Sequence, residues 1–244
     1  MTRASVLLLA GTHEARSLAG RLWDMPGIRL IASLAGVTSN PKPIAAETRA
    51  GGFGGAEGLA AFLRDHRIAA LVDATHPFAA RMPWNAKAAA EIAGIPRLRL
   101  IRPEWDLRPE WLDVASLGDA ARTLPSGARV FLATGRQHLA PFLERSDCQF
   151  LLRSIEPPGT LPSNFRHIHG HPGPDFSSEF ALLSSHQISH LVARNSGGPA
   201  RAKLDAADGL GIRVILVARP LQPDGQEAHT VAEAVAWLRH TVGF

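Results

Sequence analysis

Short apolar runs alternating with helix-forming segments constrain this chain more than any other feature. In the first half, SVLLLA (5–10) precedes a helical stretch His13–Trp23, and IRLIAS (28–33) precedes a glycine-rich loop and a helix Ala56–His66. IAALVD (68–73) then leads to a helix Phe78–Ala93 ended by Gly94, and PRLRLI (96–101) follows. The runs are almost wholly apolar, as strands buried on both faces must be, and each is too short for a core helix. Strand–helix alternation of this kind predicts a parallel, doubly wound α/β sheet.

The second half restarts the same grammar. ARVFLAT (128–134) is followed by Gly135 and a helix near His138–Leu143, then QFLLRSI (149–155) and a Pro-, Gly- and His-rich stretch from Pro157 to Pro174. A helix Ser178–Ser185, ISHLVAR (188–194), a helix Ala200–Leu210, RVILVA (213–218) and an amphipathic helix Thr230–Val242 complete it. The halves echo each other: VLLLAGTHEA against VFLATGRQHLA, and LVDATHPFAA against LVARNSGGPA. The segment Arg102–Leu112, RPEWDLRPEWL, breaks both periodicities and marks the boundary. The expectation is two similar α/β domains with mainly parallel sheets, residues 1–105 and 106–244, facing each other across a cleft. One longer sheet is the alternative.

The 244 residues, 45% hydrophobic and 20% charged, suit a globular chain with a full core. No apolar run reaches the roughly 18 residues of a membrane span. The N-terminal apolar stretch (Val6 to Ala10) is too short for a signal peptide, and Cys148 stands alone, so the expected location is cytoplasmic, without a disulfide. No paired His or positive nest accompanies Cys148 as a catalytic thiol would require. The net charge is +4, and of 26 basic residues only Lys42, Lys87 and Lys203 are lysines. The arginines are spread rather than striped, which fits a small polyanion better than a nucleic acid. A general preference for Arg over Lys explains the composition equally well.

LVDATHPFAA (71–80) is the most site-like stretch. Its strand ends abruptly in Asp73, Thr75 and His76, and Pro77 stands at the expected first helical position. Polar side chains are thereby delivered to the carboxyl end of a strand, where open α/β sheets bind ligands. Gly11-Thr12-His13-Glu14 ends the first strand, where backbone amides can meet a pyrophosphate; an ordinary glycine turn with Thr12 as N-cap is the plain alternative. A dinucleotide fold that prefers NAD places an acid about 20 residues after the glycine loop, at the end of the second strand. Here Ser33 stands there, no acid appears until Glu47, and Ser33, Lys42 and Arg49 suit a 2′-phosphate instead. In the third loop Gly52, Phe53 and Gly54 follow Arg49, with Phe53 packing either on a flat ligand ring or into the core.

These pieces closely resemble the precorrin-6A reductases of cobalamin biosynthesis. The matching stretches are GTHEARSLA (11–19), SLAGVT (33–38, with Gly36), RAGGFGGAEGLAAFL (49–63) and VDATHPFAA (72–80). RVFLATGRQHLAPF (129–142), LVARNSGG (191–198) with Lys203, and VARP (217–220) continue the match over nearly the whole length. Arg194 departs from the family's usual Lys, and Met82-Pro83 interrupts the start of the helix after ATHPFA. The resemblance implies two Rossmann-like domains and NADPH-dependent reduction of one double bond in a partly formed corrin ring, giving precorrin-6B. It implies a polycarboxylate tetrapyrrole substrate, which accounts for the arginines, and no membrane or nucleic-acid partner.

On this reading Gly11, Thr12, His13, Glu14, Ser33, Gly36, Arg49, Gly52, Phe53, Gly54, Thr75 and His76 hold the cofactor. Catalytic candidates are His76 and Asp73. His76 and His13 have the residue type for the proton delivered beside the hydride, and the alternative for His76 is a loop-fixing residue, since a helix N-terminus disfavours imidazolium. Asp73 either accepts from nicotinamide or ribose or caps the Thr75 and His76 amides. Thr134, Gly135, Arg136, Gln137, Arg194, Asn195, Ser196, Gly197, Lys203 and Arg219 form the expected carboxylate-binding wall, solvated surface charge being the alternative for Lys203 and Arg219. His167, His169 and His171 alternate as H-x-H-x-H but lack cysteine partners, and no metal is expected. Two rival readings remain: a reductase of another polycarboxylate, such as cobalt-bearing precorrin-6A, and a non-catalytic nucleotide-binding module. Oligomeric state is not indicated, and a monomer satisfies the pattern.

Overall fold

A computed structural model describes residues 3–34 and 43–244. It divides into two compact units, one of residues 1–103 with 220–244, the other of residues 104–219. Each unit holds one six-stranded, wholly parallel sheet. The two-unit expectation stands, and the single long sheet does not.

In the first unit the strands are β1 (Ala4–Ala10), β2 (Ile28–Leu34), β3 (Glu47–Ala50), β4 (Ile68–Ala74), β5 (Arg97–Leu100) and β12 (Gln226–Ala228), in the spatial order β12-β5-β4-β1-β2-β3. The helices are α1 (His13–Trp23), α2 (Gly55–Asp65), α3 (Met82–Ala93) and α8 (Val231–Val242). Alternation along β1 builds two cores. Val6 and Leu8 pack with α1 and α8 residues such as Leu18, Leu22 and Leu238, while Leu7 and Leu9 pack with α2 and α3 residues such as Leu59, Leu63 and Ala86. The chain reverses its direction of travel across the sheet between β1 and β4, so a crevice opens at their carboxyl ends.

The second unit repeats this plan. Its strands are β6 (Leu112–Val114), β7 (Arg129–Ala133), β8 (Gln149–Ser154), β9 (Phe165–His169), β10 (His190–Arg194) and β11 (Arg213–Val217), ordered β6-β11-β10-β7-β8-β9. Helices α4 (Leu117–Thr123), α5 (Ala140–Leu143), α6 (Phe176–Ser185) and α7 (Ala202–Gly209) connect them. β7 and β10 occupy the places of β1 and β4, which is the structural meaning of the two sequence echoes.

The sixth strand of each sheet differs in chain position. In the second unit β6–α4 comes first, capped by Ser116 accepting from the Asp119 amide. In the first unit β12–α8 comes last, capped by Thr230 accepting from the Glu233 amide. Residues 220–244 therefore do not belong with the second domain, where the expected boundary put them. β12 pairs with β5, the Ile101 amide donates to the Ala228 carbonyl at 2.9 Å, and Ala234 and Leu238 of α8 lie in the core beside α1. The sequence reading also started α3 four residues early. Residues 77–78 form a turn, with the Ala79 amide donating to the His76 carbonyl at 2.7 Å, and the helix begins at Met82 with Pro83 in its first turn. Met82-Pro83 is thus the helix start itself, because proline there gives up only an amide that has no helical partner.

Candidate active site

Three loops leave the carboxyl edge of the first sheet: 11–12 after β1, 75–81 after the neighbouring β4, and 51–54 after the edge strand β3. The first two are interlocked. Thr12 caps α1 by accepting from the Ala15 amide, and its hydroxyl donates to the Ala74 carbonyl, both at 3.1 Å. A Cβ added to Gly11 would lie 3.2 Å from the His76 amide nitrogen and 3.3 Å from Thr75 Cα. Gly11 serves close backbone approach here rather than a left-handed φ, since a Cβ would force these neighbours to give by a few tenths of an ångström.

Parallel register turns the polar residues of this edge into one row. Arg49 is opposite Ser33, Ser33 opposite Leu9, Leu9 opposite Asp73, Asp73 opposite Arg99, and Arg99 opposite Glu227. Lateral neighbours in a parallel sheet point to the same face, here the one covered by α2 and α3. Two side-chain contacts run along the row. Arg49 donates to Ser33 Oγ at 2.8 Å, and Arg99 donates to Asp73 Oδ2 at 3.0 Å.

Asp73 does not offer its carboxylate to a ligand. Its side chain is wholly buried, Oδ1 accepts from the Thr75 amide (3.1 Å) and hydroxyl (2.7 Å), and Oδ2 accepts from Arg99. Of the two amides that the capping alternative names, the Thr75 amide is held by Asp73, together with the Thr75 hydroxyl. Breaking such a buried pair costs about 3–5 kcal/mol, since the remaining charge is stranded. Burial lowers the Arg99 guanidinium below its ordinary value, opposed by the Asp73 charge.

His76 is partly exposed, and its Nδ1 accepts from the Phe78 amide at 3.2 Å. An accepting Nδ1 places the ring proton on Nε2. The Phe78 amide donating to the ring is a local turn device that fixes the imidazole. His13 is exposed on α1 and lies 3.3 Å from Ser17 Oγ, while Glu14 pairs with Arg102 at 2.9 Å. Glu14 is thereby committed to a residue that the sequence reading had assigned no function.

Arg49 organises the middle loop. Besides Ser33 it donates to the carbonyls of Gly51 (3.0 Å) and Gly52 (3.1 Å), and its guanidinium lies 3.9 Å from the Phe53 ring centroid. Phe53 also meets Phe62 edge-on at 5.2 Å and packs against the α2–α3 core, so its ring is mainly a core plug. Gly54 and Gly55 adopt φ of +80° and +92°, the left-handed geometry that turns the chain into α2. Gly36 lies outside the described residues.

At the equivalent edge of the second unit, Thr134 is buried with its hydroxyl unpartnered, and Gly135 has φ of +80°. Arg136 and Gln137 are exposed. Burial lowers the Arg194 guanidinium, and Arg194 together with burial lowers His138. The remaining wall candidates turn out to be braces. Asn195 is buried, accepting from the Trp105 amide (2.9 Å) and donating to Glu104 (2.9 Å). Arg219 donates to the carbonyls of Asn195 (2.9 Å) and Ser196 (3.2 Å). Lys203 is buried, donates to the Ala200 carbonyl and lies 4.6 Å from the Trp105 ring centroid. Lys203 and Arg219 are thus both engaged within the unit, and Arg219 braces the Asn195–Gly198 turn. Gly197 makes that turn with φ of +65°.

Among the described residues no group of three or more His, Cys, Asp or Glu is placed to hold a metal ion, and His167 shares a 2.9 Å hydrogen bond with Ser154. Cys148 is buried, and burial pushes its thiol above the ordinary value, the reverse of an activated thiolate. No helix among the described residues is long and apolar enough to cross a membrane.

A sequence model of the precorrin-6x reductases, CbiJ/CobK, matches residues 5–239. The chain belongs to this family. It is 46% identical over 244 residues to a precorrin-6A reductase of Rhodococcus erythropolis, covering 98% of each chain. Identity to the precorrin-6A reductase of Mycobacterium tuberculosis H37Rv is 44% over 243 residues, again 98% of each. A cobalt-precorrin-6A reductase of Methanothermobacter thermautotrophicus is 31% identical, over 89% of this chain and 77% of that one. Among solved structures, a CobK precorrin-6A reductase superposes with a TM-score of 0.91 at 39% identity, covering 98% of this chain and 97% of that chain. The chain is therefore an oxidoreductase of cobalamin biosynthesis. A reductase of this kind implies a nicotinamide cofactor and a small tetrapyrrole-precursor substrate.

Proposed function

We propose that the chain reduces one ring double bond of precorrin-6A with NADPH, giving precorrin-6B, and that the first unit holds the cofactor. The observation that carries the cofactor choice is the Ser33–Arg49 contact at the carboxyl end of β2. A fold of this order places the adenosine ribose there, and a fixed guanidinium at that point favours a 2′-phosphate, where an acid would repel it. Gly11 supports the same reading, since the absence of a Cβ lets the β1 and β4 turns pack closely with their backbone open to a pyrophosphate.

When bound, NADPH supplies the hydride. This chain's residues orient and manage charge. Thr12 locks the β1 turn to β4, Asp73 holds Thr75, and His76 presents an Nε2 donor beside them. In the second unit, half-buried Arg194 and the unpartnered Thr134 hydroxyl fit one carboxylate of a polyanionic ring, and exposed Arg136 a second. Identities of 46% and 44% to relatives named precorrin-6A reductase, against 31% to one named cobalt-precorrin-6A reductase, favour the metal-free ring.

Arg49→Ala tests this reading through nicotinamide fluorescence. NADPH affinity is expected to fall by roughly tenfold or more, the worth of one charge-assisted contact, with NADH affinity nearly constant. Equal losses for both cofactors would overturn the 2′-phosphate assignment.

A further inference from the structure

We infer that Arg99, a buried residue at the opposite flank of the sheet from Arg49, is a positioning residue for the reduction, acting through Asp73 on the Thr75–His76 turn. The inference rests on the NADPH reading of the carboxyl-edge loops.

Arg99 is 1% exposed and Asp73 equally so, and no other ion pair among the described residues is as deeply buried on both sides. The carboxylate works as a bridge, with Arg99 on Oδ2 and both the amide and hydroxyl of Thr75 on Oδ1. The turn so held has little freedom, since Thr75 Cα and the His76 amide lie against Gly11 and the Ala74 carbonyl is tied to Thr12. A drift of Asp73 thus moves Thr75 and His76 directly.

Stability does not explain the choice of residue. Arg99 Nε and Nη2 are buried without partners, a destabilising feature that a well-packed apolar pair would not have. Arg97, two residues away, opposes the charge further; Glu227, in register on β12, offsets it in part. A strand such as RLRL could bury two leucines at these positions. That it buries a guanidinium with unmet donors, one strand from the turn, is the pattern of a device that fixes geometry at the expense of stability.

The test compares Arg99→Met, Arg99→Lys, Asp73→Asn and the uncharged pair Arg99→Met with Asp73→Asn, each checked by circular dichroism and assayed with NADPH and precorrin-6A. Expected for Arg99→Met is a fall of roughly 10- to 100-fold in kcat/KM for NADPH, with KM for the tetrapyrrole within about twofold. Arg99→Lys recovers part of that loss by restoring the charge, and the double variant is no worse than the poorer single one. Should Arg99→Met fail to fold, Arg99→Lys and the uncharged pair carry the comparison. Folded variants with lowered melting temperatures but unaltered NADPH parameters would overturn the inference, as would additive losses in the pair. Thr75→Ala and His76→Ala serve as the control. If these leave NADPH parameters unchanged, the cofactor reading itself fails; if they alter them while Arg99 and Asp73 variants do not, only the positioning role fails.

Discussion

Gly58 sits in the first turn of α2, and replacing it with alanine is the sharpest probe of the middle loop. A Cβ there would lie 1.8 Å from the Phe53 carbonyl oxygen and 2.9 Å from its carbonyl carbon. A tolerable C···O contact is about 3.3 Å, so the Phe53 peptide must retreat by about 1.5 Å. The obstacle is backbone, so no side-chain rotation relieves it. Phe53 lies under the Arg49 guanidinium, which also holds the Gly51 and Gly52 carbonyls at 3.0 and 3.1 Å; a retreat of that size carries these contacts beyond hydrogen-bond range. Overpacking of this kind costs about 1–3 kcal/mol, a melting shift on the order of 5–10 °C for a unit of this size. Loss of one charge-assisted contact to the cofactor adds about 2 kcal/mol, roughly 30-fold in NADPH affinity. Calorimetry and nicotinamide fluorescence read the two effects separately. An unchanged melt together with unchanged affinity refutes the steric argument. A lowered melt with unchanged NADPH affinity refutes the assignment of this loop to the cofactor.

His76→Ala is expected to slow turnover by less than the roughly 10²–10⁴-fold contribution of a general acid, because Nδ1 is occupied as an acceptor; loss of one limb of the pH–rate profile would instead make His76 the acid. Burial, aided by Arg213, holds His190 below the ordinary histidine value, and burial with Arg194 does the same for His138. The unfolded chain then binds more protons below about pH 6.5, so stability is full above that pH and declines as pH falls through the histidine range. Urea midpoints between pH 8 and pH 5 check this; the decline should shrink in His190→Gln, and a flat wild-type profile would contradict it. Lys203→Met is expected to lower the melting temperature while leaving KM for the tetrapyrrole within about twofold, since the ammonium is spent on Ala200 and Trp105. A large rise in that KM would return Lys203 to the carboxylate-binding wall.

The strands that sequence reading found and those it missed divide along one physical line. β1, β2, β4, β5, β7, β8, β10 and β11 lie inside the two sheets and announce themselves as runs that are apolar throughout or, in β5, apolar at every second residue. The four it missed, β3, β6, β9 and β12, are the edge strands of the two sheets. Edge strands are three to five residues long here, as in ETRA and QEA, with exposed positions that carry no apolar signature. Missing β12 had a further consequence, because only its pairing with β5 returns the C-terminal segment to the first unit. The places of the candidate site residues were legible, because Gly11, Thr12, Arg49 and Thr75 all fall at strand ends on the carboxyl edge. Their partners were not, because the contacts of Asp73, Arg49, Asn195, Lys203 and Arg219 depend on how the chain folds. Arg99 left a trace, a charge alternating inside an apolar strand, that periodicity alone does not interpret.

The order of apolar runs and turns by itself determined a parallel α/β architecture with polar loops at the carboxyl ends of its strands, because runs apolar on both faces need helices over both faces of a sheet. Tertiary structure alone decided which polar residues those loops present and which they consume. Pairing of Arg99 with Asp73, of Arg49 with Ser33, and of β12 with β5 joins residues 26, 16 and about 128 positions apart. Register across a sheet is set by the fit of both faces at once, and no local pattern encodes it.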